Sequence, residues 1–173
     1  MVPPSRPLVP PRLAYFANST AADGQEWAAS IENDAEDFQE RVNHEWYMLC
    51  AHQGLFDTGD PQFLIAVRDV PHNRPDTAWW ARVMLQPDWD LAGAGAEARV
   101  TGCGWGNPEF VMLSLDGNLI VQGSQGQEWT DIVCLRDAHR ISSFRETGAK
   151  LANDKSIPEQ TRYAMARWLE NTR

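Results

Sequence analysis

The chain has 173 residues, 43% hydrophobic, 23% charged and 10% aromatic, and this composition excludes collagen, a disulfide miniprotein and wholesale disorder. Its net charge of -9 argues against direct nucleic-acid binding, because phosphate contacts need a cationic footprint and no Lys/Arg cluster with interleaved aromatics supplies one. Length predicts one domain, and apolar runs such as Phe63 to Val67 fall far short of the roughly 20 residues that span a bilayer.

Pro3, Pro4, Pro7, Pro10 and Pro11 fix so many backbone angles that residues 1–20 are expected to form an extended, flexible arm ahead of a single α+β domain over 21–173. The Pro7-x-x-Pro10-x-Arg12 spacing fits a ligand of SH3-type grooves. No apolar core precedes a small-residue cleavage site, so the segment does not read as a secretory signal, and a cytoplasmic location is expected.

From Asp23 to about His52, the residues Trp27, Ile31, Ala35, Phe38, Val42, Trp46 and Leu49 recur at steps of 4, 4, 3, 4, 4 and 3. That spacing predicts a long amphipathic helix, capped by Asp23, ended by Gly54 and open to a break at Asn33-Asp34. Its other faces carry Glu26, Glu32, Asp34, Glu36, Asp37, Glu40 and Glu45 against Arg41, a balance of -6. The element is therefore acidic as well as amphipathic.

Beyond the Asp57-to-Pro61 loop, strands are expected at about 62–70, 78–86, 97–103, 109–115, 119–123, 129–135 and 139–144. Asp116-Gly117 predicts a hairpin with a type I′ turn. No gap in this stretch has room for a crossover helix, so the sheet is expected to be an antiparallel meander of about five to seven strands. Val111 to Leu135 resembles one unit of a propeller-type repeat, but it occurs once and implies no function. Ser156-Ile-Pro-Glu159 forms a capping-box pattern, and Ile157, Thr161, Ala164, Met165, Trp168 and Leu169 then share a face. A C-terminal helix over 157–171, packed on the sheet, follows.

The usual catalytic motifs are missing. His44, Cys50 and His52 do not converge when placed on a helix, and Cys134 and His139 have opposite strand parity. The Gly102-to-Gly106 loop leads to another strand rather than to a helix N-terminus that could hold phosphate. Nothing selects Asp57 and Asp60 over other carboxylates. Cys50, Cys103 and Cys134 read as buried, reduced thiols. No metal or cofactor is predicted.

Charge carries the remaining signal. Residues 1–135 hold 19 acidic and 7 basic side chains, a balance of -12, while residues 136–173 hold 5 and 8, a balance of +3. Two Trp-containing loops, Pro75 to Trp80 and Gln86 to Asp90, suit aromatic anchors with an acidic rim. The expected binding residues are Glu32, Glu36, Asp37 and Glu40 with Asp88, Trp89 and Asp90. The sequence thus predicts a small acidic intracellular inhibitor, monomeric or a small homo-oligomer, that occludes a basic protein partner. An immunity protein that neutralises a toxin and a phage anti-defence or anti-CRISPR protein have this general look. The alternatives are an enzyme of another family using carboxylates or His139, and a structural or adaptor subunit.

Overall fold

A computed structural model describes residues 7–21, 28–68, 78–102 and 107–172. Period-two alternation of apolar side chains builds an antiparallel sheet from β1 (Ala28–Glu32), β2 (Gln62–Val67), β3 (Trp79–Met84), β4 (Phe110–Leu113), β5 (Leu119–Gln125) and β6 (Trp129–Arg136). Their order is β1-β6-β5-β4-β2-β3. The helices are α1 (Pro11–Ala14), α2 (Ala17–Ala21), α3 (Phe38–Gln53), α4 (Ser142–Asn153) and α5 (Glu159–Asn171), with a π-helical turn at Leu91–Gly95 and a 3-10 turn at Ala138–Arg140. The protein is α+β, as the missing crossover helices required.

Alternation sorts the sheet into two apolar faces. Phe63, Ile65, Phe110, Met112, Val121, Ile132 and Cys134 pack with Val42, Trp46 and Cys50 of α3. Val111, Leu113, Ile120 and Leu135 pack with Leu13, Phe144, Met165 and Trp168 from α1, α4 and α5. The sheet is covered on both sides, and all four residues of β4 are buried. Gly123 lies opposite Phe110 in the register, and a Cβ there would stand 2.3 Å from the Phe110 ring. Only glycine leaves room for that ring.

The structure corrects several expectations. Where the long helix over 23–52 was expected, the described residues 28–52 form a strand, a turn and a helix: β1 holds 28–32, turns fill 33–37, and α3 is helical. A spacing of four residues fits both the strand period of 2 and the helix period of 3.6, so Ile31 is buried either way. The chain breaks at Asn33, whose amide N–H donates to Glu128 O at 2.9 Å and whose side chain donates to Gly126 O and accepts from Thr130 Oγ1. Gly54 ends α3 as expected, in the left-handed region at φ 77°.

Of the expected mobile arm, the stretch from Val9 to Ala17 is packed against the domain. Leu13, Ala14 and Ala17 are fully buried, and Val9 O accepts the Trp80 indole N–H at 2.7 Å. The expected strands at 97–103 and 139–144 are absent: Gly102 makes only an isolated bridge to Pro108, and α4 begins at Ser142. Phe144, Gly148 and Leu151 carried a helical spacing at α4, hidden by the glycine. Gly148 is small because Leu13 packs against it, 3.1 Å from where a Cβ would sit.

The hairpin at 114–119 forms, but not through a type I′ turn. Gly117 N–H donates to Ser114 O at 2.9 Å, and Gly117 alone in that turn has positive φ, at 77°. The capping box at 156–159 does not form, because the Ser156 hydroxyl donates to Asp154 Oδ1 at 2.7 Å and Pro158 takes the N-cap position. Asp23, Trp27, residues 75–77 of the first Trp loop, and Cys103 with residues 104–106 lie outside the described residues.

Candidate functional site

Asn is a poor residue for the middle of a helix, and Asn43 sits in the middle of α3 because its side chain has tertiary work. Its Oδ1 accepts the amide N–H of Leu91 at 3.0 Å and of Ala92 at 2.9 Å. Its Nδ2 donates to Asp90 Oδ1 at 2.8 Å. Asp90 in turn caps the π-helical turn, accepting from Gly93 N–H at 2.9 Å and Ala94 N–H at 2.8 Å. The amide donors that open this turn are thereby satisfied by two side chains.

That clasp sets the position of Trp89. Its ring stacks on Tyr47 at 5.6 Å and 15° and meets Trp46 edge-on at 5.0 Å and 61°. Trp46 also contacts Phe56 at 6.0 Å and Phe63 at 6.2 Å. The expected anchor is thus half-buried, the outer member of an aromatic cluster rather than a free loop tip. Trp46 is 1% exposed, and its indole N–H has no hydrogen-bond partner among the described residues.

Beside this cluster, the α3 face of β2–β3–β4 is left partly uncovered as a cleft of about 370 Å³. Its walls are Trp46, Phe63, Ile65, Val83, Trp89, Leu91 and Met112. Val100 also lines it and is 54% exposed, whereas Met84 borders it from the end of β3, in register with Gln62 and with its side chain on the opposite side of the sheet from Val83. Thr101 fastens the far wall through its hydroxyl, which donates to Leu91 O at 2.6 Å. Asp88 and Asp90 are the charged residues among those that line it.

The structure brings some of the expected binding residues together. Asp88, Trp89 and Asp90 line the cleft. Glu40 lies one turn before Asn43 on α3, hence toward the same flank of the helix. Glu36 and Asp37 are exposed in the turn that opens α3, and Asp37 stands at the N-cap without a side-chain capping bond. Acidic groups there also favour the positive end of the helix dipole. Glu32 belongs elsewhere: it pairs with Trp129 in the register and lines a separate hollow of about 400 Å³ with Asp34, Glu128 and Trp129. Asn43, Met84, Val100 and Thr101 were not foreseen from the sequence, and only the mid-helix position of Asn43 offered a signal.

The thiols are poor nucleophiles. Burial pushes Cys134 up to about 12, and burial, with Cys134 nearby, raises Cys50 well above the usual thiol range. Cys50 faces the core while His44 and His52 are exposed, so these three do not share a metal. No family model, curated protein or solved structure matches the chain.

The Asp90 clasp makes a pH prediction. The Ala94 N–H, then the Asn43 amide and the Gly93 N–H, hold the Asp90 carboxylate below its usual range. A carboxyl depressed on folding contributes stability that is present above its unfolded value, about 3.9, and is lost as pH falls through the folded value. Asp90→Ala is therefore expected to cost about 1–2 kcal/mol at pH 7, the range for losing a cap. Urea titrations of both proteins should show the gap narrowing as pH drops below about 4. A gap independent of pH would mean that the charge of Asp90 contributes nothing.

Proposed function

We propose that this protein is a non-catalytic inhibitor that binds and occludes a basic protein, recognising it by charge and by an apolar contact. One observation carries the reading: the acidic opening of α3 and the Asp88 rim belong to the same side of the sheet as an apolar cleft. Helices α4 and α5, from the segment with the basic excess, pack against the opposite face. Glu36, Asp37, Glu40 and Asp88 would form the negative rim that orients a cationic partner before contact. Apolar centre and charged rim are the usual anatomy of a protein–protein interface. A toxin or a nucleic-acid-binding defence complex presents the basic surface that such carboxylates would cover in place of phosphates.

The test neutralises Glu36→Gln, Asp37→Asn and Glu40→Gln together. At roughly 0.5 kcal/mol per exposed charge contact, partner affinity should fall about tenfold at low salt. The difference from wild type should shrink as salt rises, because exposed charges are screened. Affinity capture from the source cell at two salt concentrations, followed by titration of the recovered basic protein, measures both effects. Equal affinity and equal salt dependence in the two proteins would end this reading.

A further inference from the structure

We infer that the cleft on the α3 face is the anchor pocket of this interface, and that it receives one aliphatic or aromatic side chain from a partner segment flanked by Lys or Arg. The inference rests on the proposed function and names the recognition element that function would use. Three observations carry it.

The first is shape. A concavity of about 370 Å³ lies at the small end of ligand pockets, a size for one large side chain rather than for a docked helix. The second is exposed apolar surface. Single exposed apolar residues are normal, but Val100 is 54% exposed and lines one concavity with Val83, Leu85 and Trp89, which are only partly buried. An apolar group placed against them would remove all four further from water.

The third is charge. Asp88 and Asp90 are the charged groups in the lining. The Asp90 carboxylate already accepts three internal hydrogen bonds, whereas Asp88 is exposed. A cation flanking the anchor thus meets Asp88. A second copy of this chain is a poorer occupant, because it brings a net charge of -9 against an acidic rim.

The probe is a synthetic peptide, acetyl-Lys-Lys-Leu-Lys-Lys-amide, compared with the same peptide carrying Ala in place of Leu. Binding to the full chain is measured by calorimetry and by amide chemical shifts. On wild type the Leu peptide should bind about tenfold more tightly than the Ala peptide, with shifts at Val83, Trp89 and Val100. Val100→Lys, at an exposed position that should leave the urea midpoint unchanged, should abolish the Leu preference. Met84→Lys, whose side chain leaves β3 on the opposite side of the sheet, is the control and should keep the Leu preference. The variant neutralised at 36, 37 and 40 should bind both peptides more weakly while keeping the Leu preference.

Equal, salt-sensitive binding of the two peptides would overturn the anchor pocket and leave the charge-based reading standing. A Leu preference that survives Val100→Lys, or that Met84→Lys removes as well, would also overturn it, by placing the anchor elsewhere. No binding of either peptide at low salt would reject the pocket, while capture by the acidic face would still report separately on the proposed function. A wild-type dimer in sedimentation that Val100→Lys dissociates would assign the cleft to a second copy and overturn the inference.

Discussion

Trp46→Ala is expected to lower the unfolding free energy by about 4 kcal/mol, near the upper end for a truncated core aromatic. The side chain is 1% exposed and makes ring contacts with Phe56, Phe63 and Trp89, so its removal takes away the centre of a cluster that joins α3 to β2 and to the 85–91 segment. Neighbouring rings refill such a space only partly. Trp46→Phe is expected to be much milder, costing less than about 1.5 kcal/mol. It keeps an aromatic body and removes an indole N–H that lacks an acceptor among the described residues, and leaving such a group buried carries its own cost. Urea unfolding of the three proteins decides the matter. If Trp46→Phe were as damaging as Trp46→Ala, the N–H would have to be bonded after all.

Arg145→Ala is expected to cost about 3 kcal/mol, because one guanidinium serves several acceptors. Arg145 reaches from α4 to the end of α5, donating to Leu169 O at 3.0 Å, to Thr172 O at 3.1 Å and to Thr172 Oγ1 at 2.8 Å. It also reaches His139 O at 3.3 Å and lies 5.9 Å from the Trp168 ring. Carbonyls at a helix C-terminus lack intrahelical donors, and Thr172 is buried, so water replaces the arginine poorly. Arg145→Lys should recover only part of the loss, since an ammonium lacks the planar fork. Full rescue by lysine in thermal or urea unfolding would show that charge alone matters there.

The fold was legible where a local signal had one interpretation. The absence of a crossover helix implied antiparallel pairing, and every strand pair in the sheet is antiparallel. Trp79 and Trp80, adjacent on β3, face opposite ways. Trp79 is 51% exposed, while Trp80 packs on the second core and donates to Val9 O. β1 was not legible, because Ile31, its residue in the stripe, lies four before Ala35 and merged with the helical spacing that follows. The choice between strand and helix at Ile31 came from pairing with Thr130, distant in sequence.

The candidate site was legible in its charges and not in its shape. Asp88, Trp89 and Asp90 could be named from a Pro-Asp-Trp-Asp loop, yet their roles diverge. Trp89 packs into a cluster, Asp90 caps a turn, and Asp88 faces outward. That division depends on Asn43 and Tyr47, more than forty residues earlier in the chain.

By itself the sequence determined the α+β class, the stop of α3 at Gly54, the hairpin at Gly117, the helix closing the chain and the acidic excess of the first 135 residues. These follow from composition, backbone conformation and periodicity, which act over a few residues. Only the tertiary structure decided that 28–32 is a strand, that Val9, Leu13, Ala14 and Ala17 are buried, and that Val100 and Trp89 line one cleft. Those outcomes depend on which distant surfaces cover one another, and buried area and hydrogen-bond partners supplied from afar outweigh local propensity wherever the local pattern fits two structures equally well.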